Sequence, residues 1–332
     1  MMTSEKHPNF LSKLRSTFKN KLSGDSVFKI FIMLVACNIF LVVGLMFYEI
    51  IQNSWLSIQM YGAGFLLGTK WQPFPPDPSV LPSFGALPLI WGTLVTSAIA
   101  LFLGVPVSLG ISLALSEFAP KSFNYVVSFF VELLAAIPSV IYGLWGIFVL
   151  IPFLQTNVYP YLQGALGFLP IFQGTIRGPS ILTGGIVLAI MIIPTVSAVS
   201  RDVFAAVPNS QREAIVALGA TRWEKAKTVM SYGRSGVIGA IILGLGRAMG
   251  ETMAITMVVG NSFNLFGSLF EPGSTLASII ANEFTEASSP PVYISALMEV
   301  GFILLALAII VNALARLIIR RSTRKVNEAG IF

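Results

Sequence analysis

Apolar residues gather into six long runs, near residues 27–51, 87–115, 124–153, 180–200, 235–260 and 292–319, with polar stretches between them. At 1.5 Å per residue, each can carry a helix across a hydrocarbon layer of about 30 Å. The pattern predicts an all-α polytopic membrane protein with six transmembrane helices. The first run follows a basic stretch, as a signal peptide's apolar region would. At roughly 25 residues it exceeds such a region, and no small-x-small cleavage site follows, so it reads as a retained anchor. Pro106, Pro138, Pro194, Gly143 and Gly146 interrupt the runs. A membrane tolerates them where neighbouring helices satisfy the freed backbone groups, so these spans are expected to be kinked and packed inside a bundle.

The resulting division is a basic segment at 1–26, a first span at 27–51, a loop at 52–86, a core at 87–319 holding a polar loop at 201–234, and a tail at 320–332. Composition agrees with a lipid solvent: 55% of the 332 residues are hydrophobic, 11% are charged and the mean hydropathy is +0.80. Water could not accommodate so much apolar surface. The net charge of +6 could suggest nucleic acid, but the cations sit in blocks beside apolar runs with no aromatic interleaving, so no nucleic-acid role is read. Eighteen of the 21 lysines and arginines lie before residue 30, at Lys121, between 201 and 234, or after 315, whereas Lys70 and Arg177 are alone on the other side. That asymmetry places both termini and the 201–234 loop in the cytoplasm. Residues 52–86, 154–179 and 261–291 are then external. Cys37, the single cysteine, lies in an apolar run and reads as a buried thiol without a disulfide.

Inside the cytoplasmic loop, residues 210–224 carry two S/T-x-x-E patterns, Ser210 with Glu213 and Thr221 with Glu224. Each can satisfy free N–H groups at a helix start, and Gly219 stands between them where a left-handed residue closes a helix. The expected product is a helix-turn-helix surface. Ala214, Ala217 and Ala220 keep it slim enough to enter a groove, while Arg222 and Lys225 offer charge to an acidic rim.

Charge at bilayer depth is the second informative feature, since an ionised group there costs on the order of 2.5–3.5 kcal/mol on insertion scales. Arg247 and Glu251, four residues apart in the fifth run, are expected on one helix face about 6 Å apart. Gly246 and Gly250 form a small-x-x-x-small strip that admits another helix. The pair reads either as a register-fixing ion pair or as an ion path. A lone arginine suits an oxyanion, and a carboxylate can accept the O–H of hydrogen phosphate while repelling sulfate. Glu132 and Glu299 lie about two turns inside their runs and read as structural. His7 is in a polar tail, and Tyr48, Trp55, Tyr159 and Tyr161 suggest an interfacial belt. Trp71 to Pro78 forms a stiff extended stretch, suited to lying over the bundle, touching an external partner, or merely connecting.

No GxxxxGK[ST], HExxH or GxSxG pattern occurs. The chain is therefore read as a transport subunit and not an enzyme, with no cofactor of its own. Any ATP and magnesium would be bound by a separate subunit. An ion-coupled carrier is the contrasting possibility, although no internal hydropathy repeat supports it. A scaffold without transport would leave the loop and the buried charges without purpose.

Glu213-Ala214 with Gly219 six residues after the glutamate resembles the EAA loop of binding-protein-dependent ABC importer permeases. The segments Phe84 to Thr93, Pro106 to Gly110, Leu115-Ser-Glu117, Glu132 to Gly146, Ser200 to Val203 and Gly246 to Ala254 extend the resemblance over nearly the whole chain, toward the phosphate branch. The long first outer loop matches one of that branch's two sister permeases. The resemblance implies a type I ABC importer permease fold, with a second permease subunit, an ATPase dimer and an extracytoplasmic phosphate-binding protein as partners. It also implies that the coupling residues Ser210, Glu213, Ala214, Gly219, Ala220, Thr221, Arg222 and Glu224 dock on the ATPase, and that Arg247 and Glu251 lie near the phosphate path. Another oxyanion, such as molybdate or phosphonate, is the alternative cargo. The family's usual proline about 13 residues after the glycine is replaced by Tyr232, with Gly233 next.

Overall fold

The computed structural model describes residues 24–77, 79–265, 267–287 and 290–328. His7, most of the basic segment at 1–26, and residues 329–332 of the tail lie outside the described residues. Two compact units are present, residues 1–52 and 53–332.

In the first unit the chain is part of helix α1 (Gly24–Tyr61), whose apolar side chains, among them Phe28, Met33, Phe40 and Leu45, stand exposed all round. Cys37 is also exposed, correcting its reading as a buried thiol. On a membrane-length helix apolar on every face, hydrophobicity does not imply burial in the chain's own core.

The second unit is built on α3 (Leu87–Leu113) and α8 (Ile181–Ala205). They approach closely: a Cβ on Gly185 would stand 2.5 Å from a methyl of Ile99. Ala100, Leu188, Ile192 and Val196 join Ala240 and Ala248 of α11 (Arg234–Gly250) to form the central core. Pro106 and Pro194 remain inside continuous helices. The Ser108 hydroxyl donates to the carbonyl of Gly104 at 2.6 Å, one of the local partners that keep polar groups satisfied here.

The expected third span divides. α4 (Lys121–Ala136) stops before Pro138 because Ile137, whose φ/ψ of −65°/128° is extended, is barred from helical geometry by the proline that follows. α5 (Ser139–Trp145), a wide turn at Gly146–Leu150, α6 (Ile151–Asn157) and α7 (Tyr159–Leu166) then make up a spanning stretch over 139–166. The span expected at 124–153 thus begins 15 residues later, and the outer segment begins later than 154. Tyr159 is wholly buried, bonded to Thr183 at 2.6 Å and packed on Phe270, so it leaves the interfacial belt, whereas Tyr48, Trp55 and Tyr161 are exposed.

The cytoplasmic loop folds as α9 (Asn209–Ala217) and α10 (Arg222–Tyr232), and α10 meets α11 at a 70° bend. The fifth span also breaks: α11 ends at Gly250 and α12 (Met253–Val258) restarts after two non-helical residues. Beyond it come α13 (Leu276–Glu283) and α14 (Pro291–Glu328), in which Glu299 is buried. Among the described residues five helices are long and apolar enough to cross a membrane, or six if the bent α10–α11 pair counts as one span.

On the outer side, α1 runs past residue 51 to Tyr61, and α2 (Ala63–Leu67) leads into a bridge between Gln72 and Ser83. Trp71 packs edge-on against Phe84 with centroids 4.9 Å apart and donates its indole N–H to Glu283 at 2.7 Å. The start of the proline-rich stretch is therefore anchored over the outer core.

Candidate functional site

The sequence-selected residues lie at two places. At bilayer depth, Arg247 rises from α11 and donates from Nη1 to the Thr195 hydroxyl of α8 at 3.0 Å. Thr195 follows Pro194, and sequence reasoning did not single it out. Glu251 does not continue the helix. Its backbone is extended, with φ/ψ of −69°/126°, and its Oε1 accepts the Ala254 N–H of α12 at 3.1 Å. The expected helical Arg247–Glu251 ion pair is therefore absent among the described residues. The physical reason is the break itself. Past Gly250 the carboxylate is recruited to a free N–H at the start of α12, so the four-residue spacing no longer places it beside the guanidinium. Arg247 is left half-buried, with a hydroxyl partner and unused donors in its planar fork.

The glycines of the strip are exposed, and a Cβ on Gly246 or Gly250 would meet nothing within 4 Å. No helix of the described chain uses the strip. The glycines that α11 presents to α8 are Gly236 and Gly244, where a Cβ would lie 2.6 Å from Val203 and from Val196.

The second place is the cytoplasmic elbow. Gly219 has φ 82°, and the Ala220 N–H reaches back to Ile215 O at 3.3 Å, while Gly219 N–H reaches Val216 O at 2.9 Å. These paired bonds are the glycine-dependent helix closure expected from the sequence. Thr221 and Glu224 form the reciprocal cap of α10, with the Thr221 N–H donating to Oε2 at 2.7 Å. Those hydrogen bonds hold the Glu224 carboxyl below its ordinary range.

Ser210 does not cap α9. The helix begins one residue earlier, at Asn209, because Pro208 already supplies a helix-entry φ of −58°, and Ser210 becomes an interior position. Glu213 is exposed instead of folded back. α10 runs through Tyr232, which stands where the family's usual proline is expected, and Gly233 ends it. Ala214, Val216, Ala217, Leu218, Arg222 and Trp223 are exposed, with Leu218 at 86%, and Ala220 is half-buried. Asn209, Arg212, Glu213, Val216, Ala217 and Lys225 border an open pocket of about 520 Å³. Underneath, Val229 joins Phe204, Val207 and Val237 in a small core.

Lys225 is not free for a rim contact. Its ammonium lies 3.0 Å from Glu117, which also takes Arg212 at 3.0 Å and is only 1% exposed. Sequence reading missed this cluster, since its members stand at 117, 212 and 225. Glu132, expected to be structural, is on the exposed side of α4 and pairs with Arg201 at 3.0 Å.

Residues 106–324 match the model of a family described as "Binding-protein-dependent transport system inner membrane component". The chain belongs to this family. Within it, the chain is 44% identical over 316 residues to the phosphate transport system permease protein PstC of Haemophilus influenzae, covering 94% of this chain and 98% of that one. It is 45% identical to the like-named protein of Pasteurella multocida, covering 87% and 90%. A solved bacterial ABC transporter chain, from a system involved in import of the acidic polysaccharide alginate, superposes with a TM-score of 0.57 at 15% identity, over 93% of this chain and 99% of that one. The fold is thus that of an ABC importer permease, and the chain is a multi-pass inner-membrane transport component.

Proposed function

We propose that this permease is one of two membrane subunits of an ATP-driven importer of inorganic phosphate. The observation that carries the reading is Arg247: a guanidinium in a membrane-crossing segment, hydrogen-bonded to Thr195 and matched by no carboxylate of the described residues. A planar donor fork beside a hydroxyl suits a tetrahedral oxyanion. Glu251 has one oxygen committed to Ala254 N–H. Its second oxygen can accept the O–H of hydrogen phosphate, a donor that sulfate lacks. The names of the relatives, phosphate transport system permeases, favour phosphate over molybdate or phosphonate.

The exposed Gly246 and Gly250 leave room for a helix of a second permease, and a substrate path between two such subunits accounts for a charge that no carboxylate among the described residues pairs. The exposed elbow, with Glu213, Ala214, Gly219, Arg222 and Trp223, is the face for an ATPase subunit that binds and hydrolyses Mg-ATP. An extracytoplasmic phosphate-binding protein would deliver the ion from outside. ATP-driven closure of the ATPase pair then moves the elbow and switches access between the two sides.

The test is uptake by the complete complex in proteoliposomes with labelled phosphate or sulfate. ATP-dependent phosphate uptake with little sulfate uptake is expected. Arg247→Ala should assemble normally and lose uptake by about 100-fold or more, of the size that loss of a buried charged hydrogen bond produces. Arg247→Lys, which keeps the charge and loses the planar fork, should recover little. Undiminished phosphate uptake by Arg247→Ala would remove the residue from the path.

A further inference from the structure

A carboxylate that is 1% exposed near the cytoplasmic end of a membrane helix is costly unless its charge is matched. Glu117 lies in the wide turn Ala114–Phe118 that continues α3, a geometry that re-aims side chains relative to a regular helix. Its two oxygens are used separately: Oε1 receives Arg212 of α9 at 3.0 Å, and Oε2 receives Lys225 of α10 at 3.0 Å. One side chain therefore holds both arms of the elbow, on either side of Gly219.

Arg212 also donates from Nη2 to Phe204 O at 2.6 Å and from Nη1 to Val207 O. Phe204 is in the last turn of α8, where carbonyls lack helical partners. This guanidinium thus ties α3, the end of α8 and α9 at a single point. α3 and α8 are already locked along their length by contacts such as Ile99 over Gly185. α11, which carries Arg247 and is entered through Gly233 at the 70° bend, is held to α8 by contacts of the same kind, Gly244 on Val196 and Gly236 on Val203.

We infer that the Glu117–Arg212–Lys225 cluster is a transmission joint that makes the elbow, α3 and α8 one moving body. A push on the elbow then reaches the membrane through α3 and α8, and through them reaches α11, which packs on both. All three are positioning residues acting through the helices they join, and the inference rests on the reading that an ATPase docks on the elbow.

The test uses the full complex with its ATPase, in a Cys37→Ser background, with spin labels at the exposed positions Val216 and Phe118. Distances are measured without nucleotide and with ATP trapped. With the cluster intact the distance should be the same in both states. In Glu117→Gln it should shift or broaden on trapping, ATP hydrolysis should persist, and phosphate moved per ATP should fall by about tenfold or more. Glu117→Asp, which keeps the charge, should restore much of that ratio. A native distance that changes on trapping, or a Glu117→Gln complex with native phosphate per ATP, would overturn the joint. If Glu117→Gln does not assemble, Lys225→Met, which leaves Arg212 on Glu117, is put to the same two readouts. A native complex that hydrolyses ATP and moves no phosphate would refute the cargo assignment, while the label distances would still decide the joint.

Discussion

Glu283 illustrates how the environment of one residue sets its chemistry. Burial pushes its carboxyl above the ordinary carboxylate range, and hydrogen bonds from Tyr293 and Trp71 oppose that shift without cancelling it. A carboxyl whose folded pKa is raised binds more protons folded than unfolded between the two values. Its stabilising contribution is therefore complete below the unfolded pKa and is lost as pH rises through the folded one. Glu283→Gln removes this titration while leaving an oxygen for both donors. The melting temperature of the wild type should fall relative to Glu283→Gln as pH is raised from acid to neutral. Parallel pH profiles for the two proteins would exclude Glu283 as the source. Arg247 makes the complementary point: its i+4 neighbour is chemically suitable as a partner, yet the backbone turns Glu251 toward Ala254.

Among the elements, the elbow was the most legible from sequence and the membrane breaks the least. Gly219→Val places a β-branched residue where φ is 82°, and should leave insertion intact while uncoupling ATP hydrolysis from uptake. Normal phosphate per ATP in the reconstituted variant would exclude that role for the turn. The turn and the Thr221 cap could be read because their signals are local, a glycine and an S/T-x-x-E pattern within a few residues. Ser210 shows the limit of such reading, since Pro208 starts the helix before the second pattern can act. The break after Ile137 had a visible cause in Pro138 that the continuous apolar run concealed. The break after Gly250 had none, because apolar residues resume at Met253 and hydropathy is blind to backbone direction. Glu117, Arg212 and Lys225 were beyond local reading altogether, as only the tertiary fold brings them together.

At the scale of the whole molecule, most of the spans follow from the bilayer's demand for about 20 apolar residues per crossing, although the third begins 15 residues later than its apolar run and a sixth is complete only with the bent α10–α11 pair. What hydropathy does not separate is surface meant for lipid from surface meant for another subunit. The bare side of α11 at Gly246 and Gly250 allows the distinction to be tested. Gly246→Leu, whose Cβ would meet nothing within 4 Å among the described residues, should preserve membrane insertion and reduce co-purification of the second permease severalfold. Unchanged recovery of that subunit would assign the face to lipid. The two-residue gap before α12 carries a consequence of its own. Because it divides the fifth crossing into separate rods, a tilt of one shifts Glu251 relative to Arg247 without unwinding either, and on the proposed reading the phosphate O–H then loses the carboxylate that accepts it, which loosens the grip on the cargo.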